Sequence, residues 1–226
     1  MLGVGAVTAA IAVAPEPAHA AYNANPCAAK NPCAAKNPCA AKNPCAAKNP
    51  CNPCGGGAAV ELTSAEATTA YGCLKKALTA SYKKSGMDYA GYYVDWALYS
   101  TQPYQSGTQG GRYVNNYANA KAKAYGKFEN AGTMLVGAMM AKDSFMVTGG
   151  GKTGPGPLFV MEKMWKGFND GSGNWRNSMI MPDGAVFGTT GGKGSANVQF
   201  CADCHSAVSD QDHLYFLPEE YRTTSN

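Results

Sequence analysis

The pattern of apolar and polar residues divides the chain into a helical first part and a β-rich second part. Thr63 and Glu66 have the spacing of a capping box, in which a hydroxyl and a carboxylate exchange hydrogen bonds with the first helical turn. The positions expected to face the core follow at helical spacing and are Leu74, Ala77, Leu78 and Tyr82. Gly86 suits the end of a helix, so a helix is predicted over 63–85. Cys73, within it, is predicted to be a small buried residue.

The residues after this helix predict an α+β fold built around an antiparallel sheet. An alanine-rich stretch over 114–125 predicts a second helix. Apolar segments separated by glycine-rich breaks then predict strands within 134–147, 157–168 and 174–187, with a turn at 182–184. A short helix over about 198–209 follows. Helices before and after a run of strands indicate the α+β class.

Three charged residues in the predicted folded domain are candidates for function. Strand alternation places Lys142 beside Met140 on one largely apolar face and Asp143 on the other. Glu162 shares a face with apolar residues in the next strand, where a carboxylate is costly without a partner. A buried Lys142–Glu162 ion pair, a Lys142–Asp143 surface motif and a role in a binding site all remain open. Arg112 follows a glycine-rich turn and is either solvated or a two-pronged donor to an anionic group.

The first 20 residues resemble a secretory signal peptide. An apolar stretch ends in Ala-His-Ala before Ala21, which is typical of a signal-peptidase cleavage site. A membrane span is a poor alternative, because the apolar run is short and is interrupted by Pro15 and Pro17. Export from a bacterial cytoplasm is therefore predicted, to the periplasm or to another location outside the cytoplasm.

Residues 21–57 form a low-complexity tail with the repeat Asn-Pro-Cys-Ala-Ala-Lys. The six cysteines of the repeat are Cys27, Cys33, Cys39, Cys45, Cys51 and Cys54. The segment has too little apolar surface to offset the entropy of ordering it, so a flexible tail is expected. Its thiols either pair irregularly in a simple spacer or bind a soft metal or a surface. The folded domain is predicted over 58–226.

The charge of the chain gives no indication of nucleic-acid binding. The formal net charge is +4 over 226 residues, and the repeat contributes Lys30, Lys36, Lys42 and Lys48. The remainder is close to neutral. A basic surface of the kind that binds a phosphate backbone is therefore not predicted.

The sequence Cys201-Ala-Asp-Cys204-His205 has the pattern of a c-type haem attachment site. Two thiols at this spacing can each add to one porphyrin vinyl group, and the next imidazole can bind the iron. Cys51 and Cys54 have the same spacing but are followed by glycine, so they lack the ligand. One covalently attached haem c is predicted, with His205 as its iron ligand.

The opposite side of the iron is predicted to be open. The 21 residues after His205 contain no methionine, and His213 is too near in sequence to reach the other haem face comfortably. A Met or Lys from elsewhere in the chain could still be a sixth ligand. A redox dithiol or a zinc site is an alternative use of the thiols, but zinc would need two further ligands, and only His213 and Cys73 are candidates in the folded part.

Several stretches between about residues 89 and 221 match the pattern of a known family, and they are Gly110–Tyr117, Gly137–Phe145, Gly156–Lys163, Asn174–Arg176 with Met181–Gly184, and Phe200–His205. Through these stretches the chain resembles the cytochrome P-460 family, which includes the cytochromes c′-beta. Their order along the chain is as informative as any one of them. The resemblance implies a β-rich haem pocket that is open opposite His205, often in a homodimer.

The resemblance also implies roles for individual residues. In the P-460 branch a strand lysine is bonded to a porphyrin meso carbon, and Lys142 matches that position. This branch oxidises hydroxylamine to nitrous oxide or nitric oxide, with a distal carboxylate as proton acceptor. Glu162 is the candidate for that carboxylate, and Arg112 for a hydrogen-bond donor behind it. The c′-beta branch has an apolar pocket and binds nitric oxide.

Together these observations predict an exported mono-haem c-type cytochrome that oxidises hydroxylamine and passes electrons to a soluble acceptor. A non-catalytic nitric-oxide-binding cytochrome is the first alternative. A simple electron carrier with a Met or Lys sixth ligand is the second.

Overall fold

The computed structural model describes residues 61–148 and 152–223. The predicted signal peptide and the cysteine repeat lie outside the described residues. In the part of the chain that is described, no helix combines the length and the apolar character needed to span a membrane.

The first helix, α1 (Ser64–Lys83), begins at the predicted capping box. The backbone N–H of Thr63 donates to the Glu66 carboxylate at 2.8 Å, and the Glu66 backbone N–H donates to the Thr63 hydroxyl at 3.4 Å. The buried side chains of the helix are Ala67, Tyr71, Leu78 and Tyr82. Two predictions here were wrong: Ala77 and Cys73 are both exposed, because they lie on the side of α1 that faces away from the sheet.

The sheet contains eight antiparallel strands within the described residues. They are β1 (Ala97–Leu98), β2 (Tyr104–Ser106), β3 (Arg112–Ala118), β4 (Met139–Val147), β5 (Thr153–Pro155), β6 (Leu158–Lys163), β7 (Trp175–Ile180) and β8 (Val186–Thr189). The main order is β1-β3-β4-β6-β7-β8, with β2 paired to β3 and β5 paired to β4. A second α-helix, α2 (Gln199–His205), follows the last strand. The α+β prediction is confirmed.

The helix predicted over 114–125 was wrong. Its first part is β3, and its second part belongs to a 3₁₀ segment, Ala120–Asn130. Tyr113 and Val114 suit a strand, and β3 is paired on both sides, with β4 on one and β1 and β2 on the other. Pairing with neighbouring strands outweighs the weak helical preference of the alanines.

The two faces of the sheet are covered by different parts of the chain. Helix α1 packs on one face, where its buried residues meet Ala141, Phe145, Leu158 and Val160. The 3₁₀ segment and residues 212–217 cover part of the other face, around Met140 and Trp175. Successive residues of β4 therefore point into different surroundings, with Asp143 towards α1 and Lys142 away from it.

Candidate functional site

A cavity of about 270 Å³ lies between the sheet, helix α2 and the loop Gly107–Gly110. The sheet contributes Met140 and Lys142 from β4, and Phe159 and Met161 from β6. These residues share a face because Lys142 is paired with Phe159 and Met140 with Met161 across the strands. Most of this wall is apolar.

Helix α2 brings the three residues of the Cys-x-x-Cys-His motif to this cavity. Cys201, Cys204 and His205 all line it, since residues three and four apart lie on one side of a helix. The cavity adjoins both thiols and the imidazole, so these residues fit a porphyrin tethered to α2. The side chains of Phe200 and Tyr215 contribute further apolar wall.

The orientation of the His205 ring also fits an iron ligand. Its Nδ1 lies 2.6 Å from the carbonyl oxygen of His213. A carbonyl oxygen only accepts hydrogen bonds, so this contact assigns the proton to Nδ1 and leaves Nε2 as the ring's lone-pair donor. A hydrogen bond on the far nitrogen is how iron- and zinc-binding histidines are usually oriented.

The carbonyl that orients His205 belongs to an unusual turn, which the sequence analysis missed. Asp212 and His213 both have left-handed backbone conformations, with φ of 54° and 60°. The turn is held by an ion pair between Lys163 and Asp212, and by the Trp175 Nε1–H, which donates to the Asp212 carbonyl at 2.7 Å. The backbone N–H of Met134 donates to the Asp212 carboxylate at 2.8 Å. These contacts come from three distant segments, so no local sequence signal could have identified them.

Burial lowers the pKa of both basic groups of the cavity. It lowers the pKa of His205 to about 4, and the nearby Lys142 and His213 lower it further, while the hydrogen bond to the His213 carbonyl raises it. The imidazole is therefore neutral near pH 7, the form that binds a metal. Burial also lowers the pKa of Lys142 to about 8, and the electrostatic interaction with an ionised Cys204 partly opposes this shift.

The structure brings four of the six predicted site residues together. Lys142 lines the same cavity as Cys201, Cys204 and His205, although they are about sixty residues away in sequence. An amine beside the predicted porphyrin position is the arrangement that the family resemblance implies.

Glu162 lies on the other face of the sheet. It is paired with Met139, whose side chain packs on the α1 side, and its carboxylate accepts a hydrogen bond from the Arg176 Nη1–H at 3.2 Å. Neither the Lys142–Glu162 ion pair nor the Lys142–Asp143 surface motif is observed, since Asp143 is completely buried. The position of Glu162 does not suit a distal proton acceptor.

Arg112 lies at the start of β3, and its Nη1–H donates to the Gln109 carbonyl at 2.8 Å. Its side chain is not part of the cavity wall described by the structure, but Gln109 is. Arg112 therefore contacts a loop that borders the cavity.

Phe159 and Asn177 are among the cavity residues that the sequence analysis did not identify. Phe159 faces Lys142 across the paired strands, and Asn177 lies beside Met161 on the same face. Alternation along β6 and β7 could have divided these strands into two faces. It could not have shown which face meets α2.

A cavity lined by two cysteines and the following histidine, under a β-sheet, is typical of a mono-haem c-type cytochrome. The chain belongs to the cytochrome P460 family, whose model matches residues 90–216. The match covers more than half of the chain and includes every predicted site residue. Membership of this family implies a haem c cofactor. No curated protein matches the chain.

Proposed function

We propose that this protein is an exported mono-haem c-type cytochrome that binds nitric oxide in the cavity beside His205. The observation that carries the proposal is the combination of the attachment motif with an apolar wall formed by Met140, Phe159 and Met161. Export is supported by the predicted signal peptide over 1–20 and by the attachment motif itself.

The cysteines and the histidine hold the cofactor in this proposal. Each thiol of Cys201 and Cys204 adds its S–H across one vinyl group of the porphyrin, and no atom is lost. The Nε2 atom of His205 binds the iron, while Nδ1 remains bonded to the His213 carbonyl. The bound haem supplies a redox-active iron that can bind small ligands on its other side.

The chemistry of the cavity wall favours a small neutral ligand. Among the described residues, the wall contains methionine and phenylalanine side chains, one charged side chain, Lys142, and no carboxylate. An apolar enclosure disfavours charged ligands, because it cannot replace their hydration. Nitric oxide is small, neutral and a strong ligand of haem iron.

Hydroxylamine oxidation is the second candidate, and Lys142 favours it. This oxidation releases protons as well as electrons, and the neutral form of a cavity amine with a pKa of about 8, which is the minor form at pH 7, can accept a proton from a bound substrate. The electrons would pass to a soluble acceptor. The lysine–porphyrin bond and the homodimer implied by the resemblance remain predictions.

The experiment compares the mature haem protein with Lys142→Met, using Lys166→Met, an exposed lysine, as the control. Nitric oxide binding is followed by absorption spectroscopy, and hydroxylamine oxidation by reduction of a soluble dye. Nitric oxide binding that persists in Lys142→Met, without hydroxylamine turnover in any form, supports the first function. Turnover that is lost only in Lys142→Met supports the second.

Mass spectrometry of a tryptic digest provides an independent test. A haem peptide that contains both Cys201–His205 and Lys142 supports the enzyme. A Lys142 peptide free of haem favours nitric oxide binding. A ferric spectrum of a low-spin iron with two protein ligands would contradict both functions and indicate an electron carrier.

A further inference from the structure

Asn177 has a buried amide group that the rest of the structure does not use. The residue is in β7, lines the cavity, and is only 3% exposed. Its Nδ2 atom is buried and has no hydrogen-bond partner among the described residues. Buried polar groups in folded proteins are nearly always paired, so an unpaired donor in a cavity wall indicates a partner that the cavity receives.

Hydrogen bonds and strand pairing hold the backbone of Asn177 in a defined position. The Asn177 N–H donates to the Thr190 hydroxyl at 3.2 Å, and its carbonyl accepts from the Thr190 N–H at 2.9 Å. Pairing with β6 aligns Asn177 with Met161 and, one strand further, with Met140. Asn177 therefore provides a polar side chain at the end of an apolar row, on the side away from β3.

We propose that Asn177 donates a hydrogen bond from Nδ2 to the ligand bound in the cavity, and so determines which ligands are retained. The inference rests on the proposed function, because it requires an open coordination position. A fixed N–H donor stabilises a ligand whose outer atom carries partial negative charge, such as the oxygen of nitric oxide or carbon monoxide. A ligand without an acceptor atom would leave the donor unpaired.

The surroundings of the Asn177 amide favour a ligand of the iron, and not a haem propionate, as its hydrogen-bond partner. A propionate is charged and is stabilised by cations or water. Asn177 instead adjoins Met161 in the paired strands, and Arg176, its neighbour in β7, is bonded to Glu162 on the other sheet face. A neutral donor among apolar side chains suits a weakly polar ligand.

The test uses carbon monoxide as a probe of the reduced haem protein. Asn177→Leu removes the donor at similar volume, and Asn177→Val is a shorter second variant suited to a strand. Met179→Leu is the control, since Met179 lies on the same strand and face but outside the cavity wall. The readouts are the C–O stretching frequency and the rate of ligand dissociation.

Loss of the donor should raise the C–O stretching frequency, because a hydrogen bond at oxygen weakens the C–O bond. Dissociation should become roughly fivefold faster, as expected for one neutral hydrogen bond. Met179→Leu should change neither. In wild-type protein, transfer to D₂O should shift the band, a measurement that needs no variant.

The possible failures are distinguishable. If the reduced protein binds no carbon monoxide, the open iron position is wrong, and the inference falls with the proposed function. If it binds carbon monoxide but Asn177→Leu or Asn177→Val leaves frequency and rate unchanged, only the role of Asn177 is overturned. A changed redox midpoint with an unchanged frequency would assign the amide to a propionate and overturn the inference as well.

Discussion

Asp143 should make the protein less stable as the pH rises from about 4 to about 6. Its carboxylate is completely buried behind β4, on the face opposite Lys142. It accepts hydrogen bonds from the Tyr71 and Tyr93 hydroxyls, at 2.6 and 2.9 Å, and from the Asn115 amide at 3.3 Å. Burial nevertheless dominates and raises the pKa of Asp143 to about 6, although these hydrogen bonds and Lys75 act in the opposite direction.

The sign and size of the effect follow from proton linkage. In the unfolded chain the pKa of an aspartate is about 4, so between pH 4 and 6 the folded protein binds more protons than the unfolded one. The contribution of Asp143 to the free energy of unfolding should therefore be highest below pH 4, decrease up to pH 6, and then level off; the difference between wild type and a variant without the carboxylate isolates it from the opposite contribution of His205. For one group titrating at about 6 instead of about 4, the decrease is about 3 kcal/mol.

The variant Asp143→Asn should remove this decrease, because an amide cannot ionise but its oxygen can still accept the tyrosine hydrogen bonds. Urea unfolding of the haem protein at a series of pH values, followed by circular dichroism, gives the free energies. The control is Asp95→Asn, at an exposed position. If Asp143→Asn and wild type show the same pH dependence between 4 and 7, the argument from burial is refuted.

Three further substitutions test the packing around the site. In Gly188→Ala the new Cβ would lie 2.3 Å from the Gly194 carbonyl oxygen, so we expect the free energy of unfolding, measured with urea, to decrease by about 2 kcal/mol. An unchanged unfolding midpoint would contradict this close contact. Gly72 lies in the middle of α1 with open space around it, so Gly72→Ala should instead raise the free energy of unfolding by about 1 kcal/mol in the same assay. A decrease would mean that another part of the protein packs against this side of α1. Trp175→Phe leaves the Asp212 carbonyl without its hydrogen-bond donor, so the free energy of unfolding should decrease by about 2 kcal/mol. It should also lower the iron–histidine stretching frequency in Raman spectra, because the same turn carries the His213 carbonyl that accepts from His205 Nδ1. An unchanged frequency would show that the turn does not orient His205.

The parts of the site that the sequence predicted are those governed by local spacing. Cys201, Cys204 and His205 share one side of α2 because helical geometry relates positions three and four apart. The capping box at Thr63 is likewise local. Lys142 and Asp143 lie on opposite faces because successive strand residues alternate, whatever the strand pairs with.

The errors arose where pairing between distant segments decides the outcome. Alternation places Glu162 on one face of β6, but only the register with β4 shows that this is the face of Met139 and not of Lys142. A shift of one residue would have exchanged the two faces. The chain over 114–118 became a strand because neighbouring strands were available to pair with it.

By itself, the sequence determined the haem attachment motif, the α+β class and the two-sided character of β4, since each depends on neighbouring residues and the fixed geometry of helices and strands. Only the tertiary structure decided which side chains share the cavity. It placed Phe159 and Asn177 in the same cavity as Lys142, put Glu162 on the far face of the sheet, and turned the His213 carbonyl towards His205. These arrangements depend on strand register and on a turn held by contacts from distant segments, and neither is encoded in any short stretch of the chain.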